Sequence, residues 1–173
     1  MTQGSTDDFA ALSATAARIA ARLKQRGERL AIADGATGGL LSAAILTVPG
    51  ATAFYRGGGV IYSLRARKLV LGIGRQEAEG MISATPDYAL IQAEAVRSRF
   101  GADWGLAETG SAGGSVHPLG VASGKSCAAV AGPDGTAATR VIETMSDART
   151  ENMFAFARSA FALLEGALGQ PAG

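Results

Sequence analysis

The chain has 173 residues, of which 47% are hydrophobic and 18% charged, a balance typical of a folded globular domain and not of a disordered segment. A formal net charge of +1 gives no general attraction to nucleic acid or to a membrane surface. The single cysteine, Cys127, excludes an internal disulfide, and with the polar start MTQGSTDD it predicts a cytoplasmic protein.

The first half of the chain alternates helical and strand patterns. Apolar side chains recur at spacings of three and four from Phe9 to Leu23, which predicts a helix that Ser5 or Thr6 caps and Gly27 ends. The elements predicted after it are, in order, a buried strand at 30–33, a small-residue helix at 39–46, a strand at 57–63 and a short basic helix at 64–72.

The second half begins with a helix that Thr85 caps, with Pro86 at its first position, and that runs to Phe100. The elements predicted after this helix are a buried strand at 103–108, a small-residue loop at 109–125, a β-hairpin at 126–144 that turns at Pro133, Asp134 and Gly135, and a last helix opened by Asp147 or Thr150. Phe154, Phe156 and Phe161 should pack this last helix onto the sheet.

Strands that alternate with helices predict a single three-layer α/β/α domain over residues 1–173, and the late hairpin makes its sheet mixed. We expect an ordered core at 5–168 and tails at 1–4 and 169–173. We expect Leu30–Ala33, Gly59–Tyr62 and Trp104–Glu108 to be neighbouring inner strands.

Ligands of such sheets collect at the carboxyl ends of strands, which favours a pocket formed by the 34–39 loop, Tyr62 and the 109–113 loop. In DGATGG, Gly35, Gly38 and Gly39 would let the backbone approach a ligand, and the helical N–H groups after them favour an anion. The alternative is a tight strand-to-helix turn without a ligand, and the loop alone leaves both possibilities open.

The remaining reactive side chains predict no site of their own. His117 is the only histidine, and we interpret it as an exposed loop residue. Cys127 lies in a predicted strand and belongs to the core. No His, Cys or carboxylate spacing indicates a metal site, so we expect neither a metal nor a cofactor.

The motifs in their order resemble the C-terminal domain family of the competence/damage-inducible protein CinA, also found as a stand-alone nicotinamide-mononucleotide deamidase. The resemblance covers roughly Ala10 to Leu168. The matching stretches are ADGATGGLLSAAILTVPGATAFYRGGGVIYSLRARKLVLGI, then Thr85, GADWGLAETGSAGG, GKSCAAVAGPDG and Arg149.

The resemblance implies hydrolysis of the carboxamide of nicotinamide mononucleotide, with a serine of the first motif as nucleophile and a lysine to support it. In this chain the serine position is Gly35 and the lysine position is Arg67, while Asp34 replaces a glutamate and Leu64 an asparagine. Glycine has no group that could attack a carbonyl, and a guanidinium does not deprotonate in proteins. The matching positions, which the resemblance implies as ligand-binding, are Thr37, Gly38, Gly39, Tyr62, Thr109, Gly110, Ala112 and Gly113.

Three functions are compatible with this pattern. The first is a binding protein for a small anionic nucleotide such as nicotinamide mononucleotide, in which Arg67 supplies a fixed positive charge and deamidase activity is lost or much reduced. The second is an amidohydrolase with a rerouted mechanism, and the third is a structural or interaction module. The groups considered for the rerouted mechanism are Thr37, Ser63 or Ser111 as nucleophile and Asp34 as activator of a water. We expect a homo-oligomer that binds neither nucleic acid nor membrane.

Overall fold

The computed structural model describes residues 3–115 and 120–169. Its helices are α1 (Gln3–Arg26), α2 (Leu40–Leu46), α3 (Leu64–Ala66), which continues as a π-helical turn (Arg67–Leu71), α4 (Pro86–Arg99) and α5 (Arg149–Leu168). Its strands are β1 (Leu30–Asp34), β2 (Tyr55–Val60), β3 (Trp104–Ser111), β4 (Lys125–Ala131) and β5 (Ala137–Glu143).

The five strands form one mixed sheet in the order β2-β1-β3-β4-β5. β1 is parallel to both β2 and β3, and Leu30 pairs with Trp104. β4 is antiparallel to β3 and to β5. The hairpin between β4 and β5 turns at Pro133–Gly135, as predicted, and it is the part of the chain that makes the sheet mixed.

Helices cover both faces of the sheet, so the predicted three-layer α/β fold is confirmed. α1, α2 and α5 pack on one face, where Ile32 and Leu106 point. α4 and the π-helical turn pack on the other face, where Ala33 and Ala107 point. Phe154, Phe156 and Phe161 are at most 4% exposed, which confirms that α5 buries its aromatic side chains. Among the helices of the described residues, none combines the length and the apolar character that crossing a bilayer requires.

The sheet differs from the prediction at one edge and at the end of β3. β1 does lie beside both of the other predicted inner strands, but β2 pairs with β1 alone, so it is an edge strand, and it ends at Val60 rather than at Tyr62. β3 continues through Thr109 and Gly110 to Ser111, because its antiparallel pairing with β4 extends to the Ser111–Lys125 pair.

The predicted helix caps are correct only in part. Pro86 begins α4 after Thr85, as predicted, but the Thr85 side chain does not cap the helix, because its hydroxyl donates to the carbonyl of Ile82. α1 begins at Gln3, so Ser5 and Thr6 lie inside its first turn and do not precede it. α5 begins at Arg149 after Ala148 and has no side-chain cap, so neither Asp147 nor Thr150 caps it. The backbone N–H of Ala148 donates to the Ser146 hydroxyl in the turn before the helix.

Candidate functional site

A cavity of about 350 Å³ opens at the carboxyl ends of β1 and β3. It lies between the turn after β1, the chain that follows β2, the end of β3 and the beginning of α4. The lining residues are Gly35, Ala36, Ile61, Tyr62, Ser63, Leu64, Ser83, Tyr88, Gln92, Glu108, Thr109, Gly110, Ser111, Ala112, Gly113, Ser115 and Arg149. Pockets of this size at strand ends are typical of small-molecule sites in α/β proteins.

Gly35 forms the part of the wall where the turn after β1 lies directly against β3. A Cβ atom on Gly35 would overlap the backbone carbonyl oxygen of Glu108 and would lie 3.1 Å from the Cα of Thr109. The backbone of β3 therefore occupies the space that a side chain at this position needs. The structure requires glycine here because of close packing, and no positive φ angle is involved.

Ala36 also lines the cavity, whereas Thr37, Gly38 and Gly39 do not, and Asp34 holds this part of the turn. One Asp34 oxygen accepts from the Thr37 hydroxyl at 2.9 Å and from the N–H of Leu41 at 3.1 Å. The other accepts from the hydroxyl and the N–H of Ser42, at 2.6 and 3.2 Å. The N–H groups at the beginning of α2 are thus bonded to a carboxylate of the chain itself, and this geometry favours the tight-turn alternative over an anion site at this helix.

A second buried carboxyl group lies beside this turn. Glu108 accepts from the N–H of Thr37 at 2.9 Å and from the hydroxyl of Ser126 at 2.5 Å. Burial raises the pKa of Glu108 to about 7, and the nearby Asp34 charge adds to this. Burial also raises the pKa of Asp34, although its hydrogen bonds oppose the shift. Alternate residues of a strand point to opposite faces of the sheet. Asp34 and Glu108 each follow Ile32 and Leu106 by two residues, so both carboxyl groups lie on the face that α2 covers.

The cavity is on the other face of the sheet, where hydroxyl groups line it. The hydroxyls of Ser83 and Thr109 lie 3.2 Å apart and share a hydrogen bond. Tyr88 and Gln92 face the cavity from α4. The sequence analysis missed Ser83, Tyr88 and Gln92, although Tyr88 and Gln92 are four residues apart and so lie on one helix face, and that signal could have been used.

Arg67 does not line the cavity. Its side chain is buried, and three of its nitrogens donate within the chain: Nε to the carbonyl of Ile73 at 3.2 Å, Nη2 to the carbonyl of Gly74 at 3.0 Å and Nη1 to the hydroxyl of Tyr88 at 3.0 Å. The guanidinium also lies 5.6 Å from the centre of the Tyr88 ring.

Arg149 is the only lysine or arginine among the described residues that line the cavity. One of its Nη atoms donates to the carbonyl oxygen of Gly113 at 2.8 Å, which places the guanidinium at the loop that follows β3. The side chain is at the solvent boundary and retains donors that an anionic group in the cavity could use.

The structure thus brings together only some of the predicted site residues. Tyr62, Ser63, Thr109, Gly110, Ser111, Ala112 and Gly113 line the cavity with Gly35, whereas Asp34, Thr37, Gly38, Gly39 and Arg67 do not. His117 lies outside the described residues. The described residues contain no cluster of His, Cys, Asp and Glu that could hold a metal ion.

Apart from Arg149 and Glu108, whose carboxyl group bonds to Thr37 and Ser126, the described lining residues carry no ionisable acid or base other than tyrosine. The Ser63 hydroxyl accepts from the N–H of Ala66 at 3.1 Å and caps α3. Among the lining residues that the structure describes, no lysine or histidine lies beside a hydroxyl to remove its proton.

Comparisons with known proteins agree on one family. A model of the CinA C-terminal domain matches residues 12–168. A CinA-like protein of Frankia casuarinae is 42% identical over 130 residues, which cover 72% of this chain and 28% of that protein. A putative competence-damage inducible protein of Halothermothrix orenii is 33% identical over 139 residues, or 80% of this chain and 33% of the relative. The chain spans about a third of the length of these relatives.

Solved structures give the same result. A CinA superfamily protein from Enterobacter cloacae superposes with a TM-score of 0.82 at 25% identity, over 91% of this chain and 92% of the other. The competence/damage inducible protein CihA from Agrobacterium tumefaciens superposes with a TM-score of 0.82 at 27% identity, over 92% and 96%. The order of the strands, the motifs and these matches together show that the chain belongs to the CinA C-terminal domain family.

Proposed function

We propose that this chain is a nucleotide-binding member of its family in which amidohydrolase activity is lost or much reduced. The observation that carries the proposal is the packing of Gly35, which stands where the family resemblance implies the nucleophilic serine. Gly35 offers no side-chain oxygen, and the Glu108 carbonyl oxygen and the Thr109 Cα lie where its Cβ would be.

The groups that could replace the serine are committed to other bonds or lack a base. Thr37 is buried and its hydroxyl donates to Asp34, which itself accepts four hydrogen bonds and is shielded from solvent. Ser63 lines the cavity but caps a helix. Without its nucleophile a covalent hydrolase typically loses on the order of 10⁶ in turnover, and an unactivated hydroxyl is a poor substitute near neutral pH.

Binding of a nucleotide does not depend on the serine and the lysine that Gly35 and Arg67 replace. The cavity can hold a small ligand, Arg149 offers a positive charge at one end, and the hydroxyls of Ser83 and Thr109 offer donors and acceptors for a polar body such as a ribose. Tyr62 lies at the opening with 76% of its surface exposed, where its ring can cover an aromatic base.

The test combines calorimetry with an assay of ammonia release, both with nicotinamide mononucleotide. We expect the parent chain to bind the nucleotide and to release no ammonia. Arg149→Met should weaken binding about tenfold or more, because a hydrogen bond to a charged group contributes roughly 1.5–3 kcal/mol and 1.4 kcal/mol is tenfold. Arg140→Met, which removes an exposed arginine of β5, is the matched control and should bind like the parent.

Two results would contradict the proposal, and each would favour one of the alternative functions. Robust ammonia release that Thr37→Ala or Ser63→Ala abolishes would establish the rerouted amidohydrolase. If the chain neither releases ammonia nor binds any nucleotide, the result would indicate the structural module.

A further inference from the structure

The chain between the π-helical turn and α4 forms one wall of the cavity. This segment, residues 73–88, has no regular structure until Pro86, and it carries Ser83 and Tyr88 to the cavity. Ala84, next to Ser83, is fully buried with φ at +58°, an unfavourable conformation for alanine that its surroundings must maintain. Contacts with other parts of the chain must therefore hold the segment in this conformation.

The bonds of Arg67 reach both ends of this segment. The carbonyls of Ile73 and Gly74 are at its beginning, and the hydroxyl of Tyr88 is at its end. A guanidinium is planar and presents its donors in a fixed fork, so one side chain can fix three acceptors in relation to each other. Arg67 is 7% exposed and does not line the cavity, and these bonds direct its nitrogens toward the segment.

We infer that Arg67 is a positioning residue that fixes the 73–88 wall of the cavity through Ile73, Gly74 and Tyr88 and does not itself bind the ligand. As far as ligand binding is concerned, the inference rests on the proposed function. A lysine at this position keeps the positive charge but offers a single nitrogen, which cannot reach the two carbonyls and the phenol together. Arg67→Lys thus separates a role of the fork from a role of the charge.

The first experiment needs no ligand. Hydrogen–deuterium exchange by mass spectrometry compares the parent chain with Arg67→Lys, and with Arg65→Lys as the matched control, since Arg65 is exposed on the same helix. We expect the amides of residues 73–85 to exchange about tenfold faster in Arg67→Lys, the change expected from losing one hydrogen bond to a charged group. The control should exchange like the parent. Unchanged exchange in Arg67→Lys would overturn the inference.

The second experiment is a double-mutant cycle in binding of nicotinamide mononucleotide. If Arg67 acts through Tyr88, then Arg67→Lys and Tyr88→Phe should each weaken binding about tenfold, and the double variant should also be weakened only about tenfold, because coupled residues are not additive. Binding that Arg67→Lys preserves and Arg67→Met abolishes would overturn the inference, because the charge would then act on the ligand. If the parent binds no nucleotide, the proposed function fails, while the exchange experiment still decides the role of Arg67.

Discussion

Gly35 shows how close packing restricts the residue types that one position can hold. Because the Glu108 carbonyl and the Thr109 Cα occupy the space of a Cβ, any larger residue must move the turn or β3. We expect Gly35→Ala and Gly35→Ser to lower the free energy of unfolding by about 1–3 kcal/mol, the usual cost of overpacking. Urea denaturation measures the change.

Gly166 provides the control for this prediction. It lies in α5 with no atom within 4 Å of an added Cβ, so Gly166→Ala should be neutral or stabilising by up to about 1 kcal/mol. A Gly35→Ser variant as stable as the parent would contradict the packing argument.

At the scale of elements, α2 depends on a carboxylate outside the helix. The helix has seven residues, too few to be stable by itself, and Asp34 satisfies the N–H groups of Leu41 and Ser42 at its beginning. We expect Asp34→Ala to lower the free energy of unfolding by about 2 kcal/mol or more, because four buried hydrogen bonds lose their acceptor. Thermal unfolding measures the loss.

Asp103→Ala is the matched control for α2. Asp103 also accepts from a backbone N–H, that of Arg29 at 2.8 Å, but it is exposed and water can replace it. We expect this variant to lose less than half as much stability as Asp34→Ala. Equal losses would show that burial of the Asp34 network contributes little.

The sequence was sufficient to predict the order and type of the elements, because apolar periodicity and turn residues are local signals. The edge position of β2 and the extension of β3 to Ser111 depend on pairing between distant strands, which local patterns do not contain. In the site, Gly35 and Tyr62 could be placed from strand ends, whereas Gly38 and Gly39 of the same turn do not line the cavity. The hydrogen-bond partners of Arg67 could not be predicted, because Ile73, Gly74 and Tyr88 come within bonding distance of it only when the 73–88 segment folds back.

For the molecule as a whole, Glu108 links stability to pH. Its pKa is about 7 in the folded chain against an ordinary value of 4.5, so the folded state binds the proton more tightly than the unfolded state. The stabilisation is fully present below pH 4.5 and is lost as pH rises through 7, a decrease of about 3 kcal/mol at 1.36 kcal/mol per pKa unit. The raised pKa of Asp34 acts in the same direction.

Glu108→Gln tests this dependence. An amide can accept from the Thr37 N–H and donate to the Ser126 hydroxyl, so the variant should match the parent near pH 5 and exceed it at pH 8. Denaturant unfolding at several pH values measures the slope, and Glu79→Gln, at an exposed loop position, serves as control. A parent chain whose stability does not fall between pH 5 and 8 would contradict the raised pKa.

The packing of α1 on α5 has a consequence for how the chain folds during synthesis. Arg18 pairs with Glu165 at 2.7 Å, and Arg158 pairs with Asp8 at 2.6 Å, so the two helices are partners although they lie at opposite ends of the described chain. During synthesis α1 is made before its partner α5, and β1 is made before its neighbour β3. The apolar side of α1, with Leu12, Ile19 and Leu23, therefore lacks part of its native cover until α5 has been made, so these distant contacts form late in folding.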